Sequence, residues 1–220
     1  MRAAQQPRAA QAALNFEPLN RNPRGDPGVS AESRTMPRLD LAADCGRCAA
    51  LCCIATPFDA GEDFAFAKAA GVRCRHLTRD ARCAIHERRS EMGFSGCAIY
   101  DCHGAGQRAT RAFATRPGSD LERNEAFFAL RTVFELLWLL SQAQQLCPAN
   151  QPQLRGRLSV WIDALDAIAY GSVDALPQHD LEAIDRAARA LLRELGDALG
   201  GRSAIRAGKS LPFFTDTRRR

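Results

Sequence analysis

Three things are scarce in this chain, and each scarcity removes a class of explanation. Long apolar runs come first. The N-terminal MRAAQQPRAAQAALNFEPLNRNPRGDPG has early arginines but no continuous apolar h-region, and no stretch reads as approaching bilayer-spanning length. Neither export nor a membrane is therefore expected, and the chain reads as cytoplasmic. Lysine is the second scarcity: Lys68 and Lys209 are the only two among 30 basic residues. Arginine carries nearly all the positive charge, which together with abundant alanine suggests a GC-rich bacterial genome. The net charge of +5 is spread over the N-terminal leader, the cysteine-bearing middle and the final Arg218, Arg219 and Arg220. So diffuse an excess does not indicate a nucleic-acid partner. Catalytic signatures are the third. With no nucleotide-binding glycine loop, hydrolase triad or paired-carboxylate constellation, no substrate site is legible, and an enzyme ranks below a binding protein.

What is plentiful is cysteine. Eight of the nine lie between Cys45 and Cys102, in the order Cys45, Cys48, Cys52, Cys53, Cys74, Cys83, Cys97 and Cys102. Thiols at that density are either oxidised or bound to a soft metal. A chain without an export signal sits among reduced thiols, and an odd cysteine count fits a disulfide framework poorly, so metal ligation leads. Cys147, the ninth, falls at the end of an apolar segment and reads as a buried structural thiol.

The expected fold is mainly α: a small metal-stabilised cysteine domain followed by a three-helix antiparallel bundle. Residues 1–39, rich in Arg, Ala, Pro, Gln and Asn, read as a disordered leader, with Met36 as an alternative start. Residues 40–106 form the cysteine domain, 107–118 a linker, 119–200 the helical region and 201–220 a flexible basic tail. Ser119 and Glu122 have capping-box spacing ahead of Phe127, Phe128, Leu130, Val133, Phe134, Leu137 and Leu140, a helix that should stop near Cys147-Pro148. A second helix, about Leu154 to Tyr170, aligns Leu154, Leu158, Trp161, Ile162, Leu165 and Ile168. A third, about Asp180 to Leu199, aligns Leu181, Ile184, Ala188, Leu191, Leu192, Leu195 and Leu199 and ends at Gly200-Gly201. The run Leu136 to Leu140 is apolar all round, so it should be covered by the cysteine domain or used for self-association or a protein partner.

If residues 45–53 (CGRCAALCC) run as one helix, about 100° per residue gathers Cys45, Cys48 and Cys52 within an arc of about 60° and turns Cys53 well away. Cys53 would then serve a second centre, or the helix would end between the two cysteines. Cys74, Cys83, Cys97 and Cys102 follow, with His86 and His103 as substitute ligands or donors behind the ligands; His76 reads as a surface residue. Eight thiols suffice for two four-coordinate sites. Zinc is favoured by its frequency, an iron-sulfur cluster by three thiolates on one face with a fourth from afar. The spacings match neither the usual zinc-finger and ferredoxin runs nor the arrangement of radical S-adenosylmethionine enzymes. Between Arg73 and Arg89 six arginines face Asp80 and Glu87, a local excess of four charges. Because a tetrathiolate zinc centre carries −2, those arginines read first as its neutralising donors.

Cys45-x-x-Cys48-x-x-x-Cys52-Cys53, then Cys74-x-x-Leu77, Cys83-Ala-Ile-His86-Glu-Arg88, Cys97 and Cys102, resembles the bacterial cysteine-cluster family described as zinc- or iron-chelating, over about residues 44–104. The wider stretch ADCGRCAALCCIATPF…GFSGCAIYDCHGAGQ is similar to the N-terminal region of actinobacterial pentapeptide-repeat proteins, in which a helical segment follows. No run of A(D/N)LxX pentapeptides is present here, so DNA mimicry is not implied. His86 and Arg89 stand where the chelating family has tyrosine and proline. The resemblance implies a metal held by these cysteines, structural or regulatory in role. A related cysteine cluster in a flagellin lysine methylase makes an iron-sulfur redox or protein-modifying enzyme the alternative, and an arginine-mediated nucleic-acid binder a third.

Overall fold

The computed structural model describes residues 41–116 and 118–199. The expected leader, the Met36 start, the Gly200-Gly201 stop and the basic tail lie outside the described residues. The fold is mainly α. A 3₁₀ turn, Cys45–Arg47, leads to α1 (Leu51–Ala55); α2 (Ser95–Ile99), α3 (Ala105–Ala114), α4 (Asp120–Leu146), α5 (Pro152–Tyr170) and α6 (Leu181–Ala198) follow.

α4 is the axis of the molecule. At about 1.5 Å per residue it is about 40 Å long, and α1, α3, α5 and α6 all pack on it. Its start is the expected capping box: Ser119 Oγ accepts from the Glu122 amide at 3.2 Å while the Glu122 carboxylate accepts from the Ser119 amide at 2.8 Å. Replacing Ser119 with Ala should lower stability by about 1 kcal/mol, read as a fall in urea midpoint at constant m-value. The helix stops at Cys147, whose extended backbone is what a following proline favours. Cys147 is 3% exposed, a buried thiol as expected.

Phe127, Leu130, Val133, Phe134, Leu137 and Leu140 are buried along α4 against Leu158 and Leu165 of α5 and Leu191 and Leu195 of α6. α5 and α6 meet each other more lightly than either meets α4. The encirclement explains the all-round apolar run: Leu136, Leu137 and Leu140 are buried, and the Trp138 ring stacks on His103 of the cysteine region at 4.9 Å. The same packing corrects the reading that no stretch approaches bilayer length. Asp120–Leu146 passes that test with a window of mean hydropathy 1.3, but half of the window is buried inside the protein. A helix that packs against four others needs the same composition.

The expected linker is also corrected, because Ala105–Ala114 is helical. Its buried face is Ala105, Gly106 and Ala109, too small to register as an apolar stripe yet small enough to let α3 lie close to its neighbours.

Residues 56–94 carry little regular structure beyond the isolated bridges Phe58–Lys68, Gly61–Phe64 and Leu77–Cys83 and one 3₁₀ turn, His86–Arg88. They surround a second, small core of Phe58, Phe64, Ile85 and Phe94, with Phe66, Cys83 and Cys97 packed against it. Phe58 and Phe64 stack at 4.4 Å. Gly96 makes room for that stack, since a Cβ there would stand 2.3 Å from Phe64 Cζ.

Candidate metal centre

The two cores meet along a cavity of about 320 Å³. Cys45, Cys48, Cys52, Cys53, Cys83, Cys97 and Cys102 line it, so seven of the eight expected ligands share one wall system, with His86 and Arg89 beside them. Cys74 stands behind it, its amide donating to the Cys53 carbonyl at 2.9 Å. His86 is exposed and paired with Glu87, whereas His103 is turned onto Trp138 and is not among the lining residues. His76, expected at the surface, is half-buried with its ring edge-on to Phe94 at 5.2 Å.

Residues 45–53 are not one helix. After the 3₁₀ turn the chain breaks at Ala50, whose φ of 56° is left-handed, and α1 begins only at Leu51. The single helical face of Cys45, Cys48 and Cys52 is therefore replaced by a kinked path. Cys53, expected to point well away, has its Sγ 4.0 Å from that of Cys52. That is close to the sulfur–sulfur edge of roughly 3.8 Å implied by zinc–sulfur bonds of about 2.3 Å in a tetrahedron.

Charge is distributed unevenly over these thiols. The hydrogen bond from Cys52 lowers Cys53 to about 7 against the opposing effect of burial, with further help from the Lys68, Arg89 and Arg73 charges. Cys52, which donates that bond and is buried, is raised. Burial pushes Cys97 up to about 12, and the neighbouring Cys53, Cys74 and Cys83 push the same way. Cys45, Cys83 and Cys102 are likewise raised, burial first. The amides of Gly104 and Gly106, at the start of α3, donate to Cys102 and oppose that rise. Gly106 has no room for a side chain: a Cβ would sit 2.7 Å from Cys48 Sγ and 3.6 Å from Cys102 Sγ.

Lys68 is the charged residue near the thiols that the sequence reading missed. It is 6% exposed, and its ammonium donates to the carbonyls of Ile54, Ala69 and Val72 at 2.9, 3.2 and 2.8 Å. Burial lowers its affinity for the proton, and Cys74 and Cys53 restore part of it. The one available signal was that Lys68 is one of two lysines in a chain whose basic residues are otherwise arginine.

The arginines serve the same region. Arg82 donates to the carbonyls of Cys45 and Gly46 at 2.7 and 3.2 Å, and Arg89 to that of Cys97 at 3.1 Å. Arg73 donates to Leu77 and Thr78 carbonyls, and Arg75 lies on the Phe66 ring.

Among the described residues no three Cys, His, Asp or Glu side chains converge on one point at ligating distance. The donors instead ring a space about ten times the ~30 Å³ that a water molecule occupies in the liquid. The donor chemistry fits a soft metal: thiols, apolar walls, and cations behind them. The size fits more than one bare ion.

No protein-family model matches the chain, and no solved structure matches it. Over 112 residues it is 38% identical to the uncharacterized protein YybG of Bacillus subtilis (strain 168). That match takes in 47% of this chain and 39% of YybG, so the chain spans well under half the length of the curated relative it resembles.

Proposed function

We propose that this chain is a cytoplasmic metal-binding protein of the cysteine-cluster type, its metal structural or regulatory, with the helices around α4 as an interaction surface. The observation that carries the reading is the shared cavity: seven thiols from segments up to 57 positions apart in sequence line one space. Eight thiols gathered without a ligand would be a redox liability, and burial is the first cause raising Cys45, Cys83, Cys97 and Cys102. Soft-metal binding turns that liability into stability.

Zinc and an iron-sulfur cluster are both compatible with an all-thiolate set. The second reading, an iron-sulfur redox or protein-modifying enzyme, uses the same thiols. An arginine-mediated nucleic-acid binder remains the third reading; of the six arginines, Arg73, Arg82 and Arg89 donate to backbone carbonyls of the cysteine region.

Anaerobic purification followed by metal and sulfide analysis and a visible spectrum tests the proposal. Stoichiometric zinc in a colourless protein supports the structural reading; iron with sulfide in a brown one supports the cluster. A chain that holds neither metal after reconstitution with zinc, or with iron and sulfide, overturns both.

A further inference from the structure

We propose that the cavity between α3 and the C-terminal end of α5 binds a small organic phosphate monoester, its phosphoryl group held by Arg47, Arg108 and Arg111 and its organic part laid against Tyr170. None of the eight cysteines expected as ligands lines this cavity, so it is a separate site.

One stripe of α3 forms the wall. Gly104, Gln107, Arg108, Arg111 and Ala114 recur at helical spacing and line a space of about 320 Å³, while Ala105, Gly106 and Ala109 are the buried residues of the same helix. Arg47 of the 3₁₀ turn, Phe134 of α4 and Tyr170 at the end of α5 complete the lining. The charged groups that line it are three guanidinium groups, with no carboxylate among them.

Other arginines of this molecule are answered by acids. Arg116 lies 3.3 Å from Glu122 and 2.7 Å from Asp174, Arg189 lies 3.1 Å from Glu135 and 2.8 Å from Asp185, and Arg157 lies 2.7 Å from Glu194. Of the three at this cavity, Arg47 alone has an ion pair among the described residues, with Asp44 at 2.6 Å. Arg108 is fixed in place without being neutralised. Its Nε and Nη2 donate to the carbonyls of Ala169 and Gly171 at 2.9 and 2.5 Å, which caps the end of α5 and leaves Nη1 without an acceptor among the described residues. Arg111, one turn further along, is exposed and makes no hydrogen bond or ion pair among the described residues. Burial and the Arg111 charge both weigh against the Arg108 cation, as like charges three positions apart on a helix repel. The last turn of a helix favours one cation, which would account for Arg111 alone. It does not account for three guanidinium groups around one cavity.

The ligand class follows from that set. A guanidinium fork matches the oxygens of a phosphate or carboxylate two at a time. A phosphate monoester concentrates about two negative charges in one compact group, which balances the two arginines that lack an acid, whereas a carboxylate brings one. The volume is about ten times the ~30 Å³ that a water molecule occupies in the liquid and lies at the low end of small-molecule pockets, so an organic part has room beside the oxyanion. Tyr170 is 39% exposed and stands edge-on to Phe134 at 5.9 Å, an aromatic surface for that part. A single-stranded nucleic acid would call for a positive groove that tracks a backbone, not a charge confined to one cavity.

The test is calorimetric titration of the full-length protein with phenyl phosphate, with inorganic phosphate and with a short single-stranded oligonucleotide. Phenyl phosphate should bind more tightly than inorganic phosphate. Arg111→Gln breaks no hydrogen bond or ion pair among the described residues, and it should weaken phenyl phosphate about tenfold or more, the loss of one charge-assisted contact. Arg193→Gln, at an exposed arginine of α6, removes the same charge and should leave the affinity unchanged. Tyr170→Ala should bring phenyl phosphate down toward inorganic phosphate, with helical circular dichroism as the folding control. No binding of phenyl phosphate at millimolar concentration, or equal weakening by Arg111→Gln and Arg193→Gln, overturns the site. Inorganic phosphate binding as tightly as phenyl phosphate to the wild type overturns the monoester assignment. An oligonucleotide that binds more tightly than phenyl phosphate, and loses that advantage in Arg111→Gln, overturns the small-ligand reading in favour of a nucleic acid.

Discussion

Withdrawing the metal with excess chelator under reducing conditions is expected to destabilise residues 56–99 selectively, so that they open locally far more often while the long helices persist. The reason is the unequal size of the two cores. The aromatic core has four buried apolar residues, Phe58, Phe64, Ile85 and Phe94, to order a segment with almost no regular hydrogen bonding. Structural zinc contributes on the order of 10 to 16 kcal/mol, far more than four such side chains leave after the entropy of ordering. Leu51, Ala55, Ala105 and Ala109, by contrast, belong to the main core, so α1 and α3 should remain on α4. Hydrogen exchange separates the two outcomes. The amides of Phe58, Gly61 and Lys68, bonded within the segment, and that of Cys74, bonded to the Cys53 carbonyl of α1, should lose protection, and those of α4 should keep it. Unchanged protection at these four amides in excess chelator would refute a metal-built domain.

The same experiment carries a pH signature of opposite sign in the two states. In the metal-free protein the raised thiols, with Cys97 at about 12, keep their protons in the fold while unfolded thiols ionise from roughly pH 8.5. Their contribution is complete below that pH and is lost as pH rises toward the folded value. Cys53, lowered to about 7, works the other way: its contribution is present above the unfolded value and is lost as pH falls through about 7. With metal bound the thiols must be deprotonated, so stability should rise with pH from about 5 to 8 as protons cease to compete. A denaturant midpoint that falls above pH 9 without metal and holds steady with metal is the expected pair of results.

How much of this was legible in sequence depended on side-chain size and on local geometry. The three long helices announced themselves through the Ser119–Glu122 spacing and apolar side chains at helical spacing; that Asp180 caps α6, its carboxylate accepting from the Ala183 amide at 2.9 Å, is shown by the structure. α3 was hidden because its packing face is alanine and glycine, which reads as linker composition. The kink at Ala50 was hidden because alanine gives no warning of a left-handed backbone, a conformation usually left to glycine or asparagine. That one residue is why Cys45 and Cys48 do not share a helical face with Cys52. The ligand candidates themselves were legible, since cysteines in such numbers signal their chemistry whatever path the chain takes. Their partners were not: Lys68 looks like any surface lysine, and only its three carbonyl acceptors reveal it as an interior charge.

Lys68→Met should lower the stability of the metal-loaded protein by about 2 to 3 kcal/mol, measured by urea unfolding. Methionine fills a similar volume and removes a buried charge, which taken alone would be neutral or favourable. What it cannot do is donate, and the carbonyls of Ile54, Ala69 and Val72 lose the ammonium that joins α1 to the 68–72 turn. Lys68→Arg should fare little better, because a planar fork cannot replace a compact cation set among three acceptors. The substitution should also reach the thiols. The Cys52 hydrogen bond is the largest influence lowering Cys53, and Lys68 is the foremost of the cationic ones. In metal-free Lys68→Met the pH midpoint for alkylation of Cys53 should therefore move upward without returning to that of an ordinary thiol. An unchanged midpoint would mean that Lys68 serves the backbone alone. An upward shift would join the stability of the turn to the charge state of the cluster through a single side chain.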